Sequence, residues 1–373
     1  MTTAPYATIA AEAVKGSLEH VAEIIVDPTG GASFTLPWED LQVTFAEDWT
    51  PHIQASITAP VPSAVQLDLL DARINCRLRI NAGYRYQNGT LDVQPLADLG
   101  LRTRGTRRPD NTVPLTASSD EARAQDRRRS EATALPAFTG INALVQWFAN
   151  YSIYPATATV VSDFPAAQGA TAVAGITAEV GQPMWDTVAD AAARAGVWVH
   201  CAADRTWKVR YRAVNGATPQ HVLEVGKNGT IEETDSKIER GPWANQSIIE
   251  YAWTDAAGVD HKIYGRARIS SGPYSVDVVG YKTDHIVINR AVTQSQADAA
   301  AATRVGQLVT RGRSISLRAH SAYWLRPGMT VTVKLLTGPA VDHIIQSITF
   351  DLGTGFMQIE TRQPLDATIT TGE

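Results

Sequence analysis

Side chains that could do chemistry are few and scattered in this sequence. The densest carboxylate group is Glu232, Glu233, Asp235 and Glu239, in the stretch TIEETDSKIERG. A glycosidase needs two carboxylates facing each other across a cleft, one of them desolvated so that its pKa rises. Here the acids alternate with Thr, Ser and Lys, which reads as a solvated polar loop. The eight histidines are dispersed. His200 and Cys201 are adjacent, so on a strand they point to opposite faces and cannot share a metal. Gly353-Thr354-Gly355 lies between two apolar runs and reads as a hairpin loop, not a phosphate cradle. GxSxG, HExxH, P-loop and EF-hand patterns are absent. The expectation is a chain with no catalytic, metal or cofactor residues, whose work is done by surfaces.

Surfaces have to be held by elements, and the clearest element is the stretch 181–212, GQPMWDTVADAAARAGVWVHCAADRTWKVRYR. Pro183 suits a first helical turn, where its missing N–H has no partner to lose. Trp185, Val188, Ala189 and Ala192 recur at helical spacing, and Gly196 can take the left-handed conformation that ends a helix. The period then becomes two. Val197, Val199 and Cys201 share one face, with Trp198 and His200 on the other; beyond the turn, Trp207, Val209 and Tyr211 oppose Lys208, Arg210 and Arg212. The helix covers a hairpin that could not stand alone in water. The face bearing Trp198, Lys208, Arg210 and Arg212 reads as a polar contact to another domain or subunit.

Size and charge set bounds. The 373 residues are too many for one compact core, so two or more domains are expected. Hydrophobic residues at 44% and charged residues at 19% describe a folded protein. A net charge of -5 argues against a dedicated nucleic-acid binder, which needs a basic surface. Cys76 and Cys201 lie far apart in strand-like runs and read as two buried thiols. No run of about eighteen apolar residues exists, so no membrane span is expected. The N-terminus lacks a basic start and a long apolar core, so the chain is expected to be made in the cytoplasm and to leave it only within an assembly. Asn-x-Ser/Thr matches at Asn88, Asn150, Asn228 and Asn245 read as chance, with Asn88-Gly89 and Asn228-Gly229 as turns.

Along the chain, residues from about 18 to 110 read as strands, including Glu23–Val26, Gln42–Phe45, His52–Thr58 and Ile74–Ile80. In the last of these, Ile74, Cys76, Leu78 and Ile80 face one way. A basic segment, LRTRGTRRPD, follows at 101–110. Ser118 and Glu121 then form the pattern of a capping box, opening a polar helix that ends in Arg127-Arg128-Arg129. Those arginines suit either a contact to a neighbouring subunit or acidic ligand, or a solvated helix end offsetting its dipole. A helix begins at Thr139, with Ile141, Leu144, Val145 and Phe148 on one face. Strands resume near 226, interrupted by one helix with a capping box at Thr293 and Gln296 and a stripe of Ala297, Ala301, Val305 and Leu308. The fold is therefore expected to be α+β: two β-barrel or sandwich-like domains, 1–110 and 226–373, flanking a mixed α+β middle, 111–225.

Two stretches carry a family resemblance. The Trp-start helix with its Ala-Gly end and basic-aromatic hairpin, 185–212, resembles the tail-tip or baseplate hub proteins of bacteriophages, often called minor tail proteins in siphophages. The close of the chain does so too, with Pro327-Gly328-Met329-Thr330-Val331 followed by HIIQSITFDLGTGFMQIETRQP at 343–364. The family hairpin turns on Asp-x-x-Gly, whereas here Ala203-Asp204-Arg205-Thr206 has no Gly. The resemblance implies a structural, non-enzymatic protein of the virion tail tip, built as a homotrimer whose two β domains per chain alternate into a pseudo-sixfold ring. It implies as partners a distal tail or tail tube protein, the tape measure protein and other tail-tip or receptor-binding proteins, with DNA only in transit during genome ejection. A second reading is a carbohydrate-binding or cell-wall-degrading adhesin at the same location.

Overall fold

Most of the alternating runs do become strands, and their hydrogen-bonding partners decide the architecture. The computed structural model describes Tyr6 and residues 18–130, 133–134, 138, 140–153, 158–163, 173, 177–178, 180–227, 229–238, 240–255, 257–289, 291–365 and 367–372. Thr139, Asn228 and Glu239 lie outside the described residues. The chain begins with β1 (Glu19–Asp27), β2 (Phe34–Leu36), β3 (Asp40–Ala46), β4 (Ile53–Pro60), α1 (Ala64–Leu69), β5 (Arg77–Arg85), β6 (Leu91–Arg104) and β7 (Thr112–Ser118). A mixed stretch follows: α2 (Glu121–Asp126), β8 (Thr133–Ala134), α3 (Ile141–Ile153), β9 (Val160–Ser162), β10 (Thr177–Ala178), α4 (Met184–Ala195), β11 (Trp198–Cys201) and β12 (Trp207–Arg210). The rest comprises β13 (His221–Glu224), β14 (Ile231–Ile238), β15 (Gln246–Thr254), β16 (Asp260–Ile269), α5 (Val276–Val279), β17 (Thr283–Asn289), α6 (Gln294–Val309), β18 (Arg313–His320), β19 (Thr330–Lys334), β20 (Val341–Asp351), β21 (Phe356–Arg362) and β22 (Ile369–Thr371).

A 13-stranded sheet dominates, in the order β14-β18-β21-β20-β3-β4-β7-β6-β5-β1-β2, with β19 and then β13 branching from β20. Its two halves follow one plan. The first half reads β3-β4-β7-β6-β5-β1 across the sheet, and the second reads β14-β18-β21-β20-β19-β13. Corresponding strands also come in the same order along the chain. Gln54 faces Ser118 and Pro60 faces Thr112; likewise Ser314 faces Arg362 and His320 faces Phe356. Even the irregularities match, since β6 slips against β7 between Leu101 and Thr103, as β20 slips against β21 between Ile345 and Ser347. One pairing differs: β1 is antiparallel to β5, whereas β13 is parallel to β19. The halves join edge to edge through β20 and β3, and one apolar core runs through both, from Leu41, Phe45 and Leu115 to Leu317, Phe350 and Ile359.

Three local expectations need correction. Ser118 is the last residue of β7, so the capping box with Glu121 does not form; the N-cap is Asp120, and Glu121 is buried. Ile74 belongs to a 3-10 turn, Asn75 has a φ of 61°, and β5 starts only at Arg77. The acidic stretch is no loop: Glu232, Glu233 and Asp235 lie on the edge strand β14, exposed as expected.

A second sheet, β17-β15-β16-β22, is built from three strands inserted between β14 and β18 together with β22, which follows β21, and is covered by α6. The capping box of Thr293 and Gln296 forms, and Ala297, Ala301 and Val305 are buried, with Val309 buried in place of Leu308. Gly265 is what lets α6 approach β16, because a Cβ there would meet the Ala297 carbonyl oxygen at 2.1 Å.

The middle region has its own core, in which Ile141, Leu144, Val145 and Phe148 of α3 meet Val188, Val199, Trp207 and Val209. The α4 stripe is rotated from the expected one. Met184, Thr187, Val188, Ala191 and Ala192 are buried, while Trp185 is only half-buried against Phe148 and Trp207. Gly196 ends the helix at a φ of 66°. In the hairpin turn the left-handed position is filled by Arg205, at a φ of 64°. A non-glycine residue there costs roughly 1–2 kcal/mol, which the ion pair of Arg205 with Asp120 helps offset.

Candidate assembly interface

The hairpin and the large sheet meet on the face the sequence marks out as polar. Because Trp198 faces Arg210 and His200 faces Lys208 across the ladder, these four side chains share one side. The opposing surface is His52, the residue just before β4. His200 stacks on Trp198 with ring centroids 3.8 Å apart, and His52 meets both rings edge-on at 4.8–4.9 Å. Arg210 lies over the Trp198 ring at 4.8 Å and Arg212 at 5.7 Å. Arg212 then reaches Asp48 at 2.5 Å, and Asp48 also holds Arg311 and Gln346. Trp198 is 6% exposed, so its cover comes from within the same chain. Burial pushes His52 down to about 4 and His200 well below the usual histidine range. Both are therefore neutral near pH 7, as their place beside Arg210 and Arg212 requires.

Beside this stack, Asp120 and Glu121 at the start of α2 tie the hairpin to the large sheet as well. Asp120, 1% exposed, accepts from Arg77 at 2.7 Å and Arg205 at 2.9 Å, joining β5 to the hairpin turn. Glu121 accepts the Cys201 N–H at 2.8 Å. Among the described residues it has no ion-pair partner, and burial pushes its carboxyl up to about 7. Both cysteines are buried, as expected. Sequence reasoning missed Asp120, Glu121 and His52, since a carboxylate in a polar run looks solvated until tertiary contacts cover it.

The arginine run is turned toward its own region. Arg127 donates to the Tyr151 carbonyl at 2.7 Å and lies 3.6 Å over the Tyr151 ring; Arg128 donates to the Gly181 carbonyl at 2.7 Å. Arg129 exchanges backbone hydrogen bonds with Gln182 and Gly181. Two of the Asn-x-Ser/Thr asparagines are likewise structural. Asn245, fully buried, donates to Tyr274 and Gly280 and accepts from Lys282, while Asn150 accepts the Ala158 N–H.

What remains open is the outer face of the large sheet. Gln42, Thr44, Ser56, Thr116, Thr349 and Gln358 project from it, exposed or half-exposed. A groove of about 400 Å³ crosses this face, lined by Gln42, Gln54, Gln125, Arg102 and Trp49, and Trp49 is 48% exposed. Among the described residues no cluster of three or more His, Cys, Asp or Glu could hold a metal, and no helix is long and apolar enough to cross a membrane.

No family model matches the sequence, and no curated protein does. Solved structures match along nearly the whole chain. A tail protein from Neisseria meningitidis MC58 superposes with a TM-score of 0.62 at 13% identity, covering 92% of this chain and 96% of that one. The 43 kDa tail protein of prophage MuSo2 from Shewanella oneidensis gives 0.58 at 10% identity over 92% and 98%. Prophage tail protein gp18 from Listeria monocytogenes EGD-e gives 0.53 at 11% over 91% and 94%. At these identities the likeness is one of architecture: this chain has the fold of prophage tail proteins.

Proposed function

We propose that the protein is a structural subunit of a phage tail tip: a hub that forms a ring of three copies, joins the tail tube or distal tail protein to the tip, and lets the tape measure protein and DNA pass. The domains are read as an N-terminal β unit, an α+β middle and a C-terminal β unit, each β unit contributing one of six equivalent positions. The observation that carries this reading is the repeated strand plan, two units joined edge to edge within one chain. A chain built that way can meet sixfold neighbours with three copies. The Ser/Thr/Gln face of the sheet suits a lumen, because hydroxyls and amides are wetted without gripping a passing polymer. A net charge of -5 acts in the same direction toward DNA. No catalytic step is assigned; the β14 acids are exposed, and a general acid needs desolvation. Assembly in the host cytoplasm and residence in the virion follow from the same reading. The mass of the purified protein in solution tests it: a trimer is expected, and a monomer at every accessible concentration defeats it.

A second reading, a carbohydrate-binding adhesin at the same location, is favoured by Trp49 beside the amide-lined groove. Aromatic platforms with planar polar neighbours suit sugar rings. Binding of host envelope saccharides that is lost in Trp49→Ala would support it, and an absence of binding by the intact protein would remove it.

A further inference from the structure

One strand plan is used twice in this chain, but only one of the two joints it creates is filled. In the filled joint β20 lies antiparallel to β3, with Ser347 opposite Ala46 and Asp351 opposite Gln42. The counterpart of β20 in the first half is β6, and the counterpart of β3 in the second half is β14. The ladders set the residue match. Ile345 faces Thr361 just before its bulge, as Leu101 faces Ala117. Asp40 faces Thr58 on β4, as Glu233 faces Arg318 on β18. Counting from these anchors, Asp351 corresponds to Arg107, and Gln42 corresponds to Asp235.

Both counterpart edges are open among the described residues. β6 pairs with β5 only as far as Gly100; past it the Leu101 N–H goes to the Cys76 carbonyl and the Arg104 side chain to the Leu67 carbonyl, while Arg107, beyond the end of β6, is bridged to Thr112 on the β7 side. β14 pairs on one side alone, with β18. Every residue of β14 after Ile231 is exposed. Ile238, at the position of Phe45, is 82% exposed where Phe45 is 1% exposed. The charge balance of the two edges is opposite: Arg102, Arg104, Arg107 and Arg108 lie on one, and Glu232, Glu233 and Asp235 with the single cation Lys237 on the other, although Arg102 already pairs with Asp126 and Glu232 with Arg318. Neither Arg107 nor Asp235 has an ion-pair partner among the described residues.

We infer that β14 of one copy adds, antiparallel, to the edge of β6 and its continuation to Arg107 in a second copy, with Arg107 opposite Asp235. The inference rests on the assembly reading above and supplies its joint. Strand addition satisfies main-chain groups on both edges, and the charge pair fixes the register, which a one-residue slip would break. Charges on the bare strand also keep it from pairing indiscriminately before a partner arrives.

Cysteine pairing tests the register directly. Side chains directly opposite on paired strands hold their Cβ atoms about 4.5–5.5 Å apart, close enough for a disulfide with slight adjustment. Arg107→Cys with Asp235→Cys in one chain should convert the oxidised protein into covalently linked oligomers, and each single variant should remain uncrosslinked. The native thiols are buried and do not compete. In a second arm, Arg107→Glu and Asp235→Arg should each weaken self-association by about tenfold, and the two together should restore it, with melting temperature unchanged because both sites are exposed. If the protein assembles but neither crosslinks nor responds to the reversals, the joint is wrong and the hub reading stands. If it stays monomeric throughout, both fall.

Discussion

β3 and β14 hold the same position in the two halves of the large sheet, and their burial is opposite. The inward positions of β3 are Leu41, Val43 and Phe45, all at most 1% exposed, because β4 covers one edge and β20 the other. The matching positions of β14 are Thr234, Ser236 and Ile238, all exposed, because only β18 covers it. One backbone plan therefore accommodates a permanent joint and an open one, and the side chains record which is which. Apolar residues commit β3 to a partner that is always present. Polar ones at two of the three positions let β14 remain in water.

Breaking the permanent side of the comparison should have the largest effect. Phe45 meets Phe350 across the β3–β20 joint at 6.0 Å between ring centroids and also carries Arg326 over its ring. Phe45→Ala should cost about 3–5 kcal/mol of stability, read from the denaturant midpoint. A loss below about 1 kcal/mol, the scale of an ordinary point mutation, would mean the joint does not depend on this core.

Trp198 tests the other contact of the first half, with the middle region. Its ring is covered by His52, His200 and Arg210 of the same chain. Trp198→Ala should cost about 3 kcal/mol, the low end for a buried tryptophan because its cover is polar. The loss belongs to the chain itself, so melting temperature should fall whether or not copies associate. A variant that melts normally but fails to associate would return Trp198 to a subunit interface.

The pH dependence of that same junction is a smaller effect with a definite sign. The Glu121 carboxyl, raised by burial from 4.5 to about 7 in the folded chain, holds its proton more tightly there than when unfolded. Its contribution is thus fullest below the unfolded value and is lost as pH rises toward 7. His52, lowered by burial to about 4, acts in the opposite direction, removing stability as pH falls from 6.5 toward 4. Glu121→Gln keeps an acceptor for the Cys201 N–H and removes the first effect. It should gain on the order of 2 kcal/mol at pH 8 and little at pH 4.5. Parallel stability curves for the two proteins between those pH values would refute the assignment.

How far the sequence could be read follows from the same physics. β3, β4 and α6 carry a clear period because one face is buried and the other wet, and they stand close to where the alternation puts them. β14 was invisible as a strand since neither of its faces is buried, leaving no alternation to see. Trp185 misled in the opposite direction: its size suggests the centre of a stripe, but Met184 and Val188 take the core positions. The junction was half legible. Trp198 and the basic row lie on one face as the period of two demands, but their partner His52 is distant in sequence and announces nothing. Arg205 shows why the missing glycine in the turn did not alter the hairpin, since a charged pair with Asp120 holds the left-handed residue in place.

The smallest effect on the isolated chain is also the sharpest form of the comparison. Ile238 is the counterpart of Phe45, yet it points into solvent at 82% exposure. An exposed apolar side chain contributes little to its own fold, so Ile238→Ala should change stability by less than about 0.5 kcal/mol in dilute, unassociated protein. If β14 acquires a neighbour, the same side chain gains cover it now lacks. Losing it should then weaken association, because burying an aliphatic side chain of this size contributes about 1.5–3 kcal/mol. Unfolding midpoints at low concentration and oligomer dissociation curves at high concentration separate the two quantities. Equal effects on both would mean that β14 is ordinary surface, and the contrast with β3 would then end at the edge of the sheet.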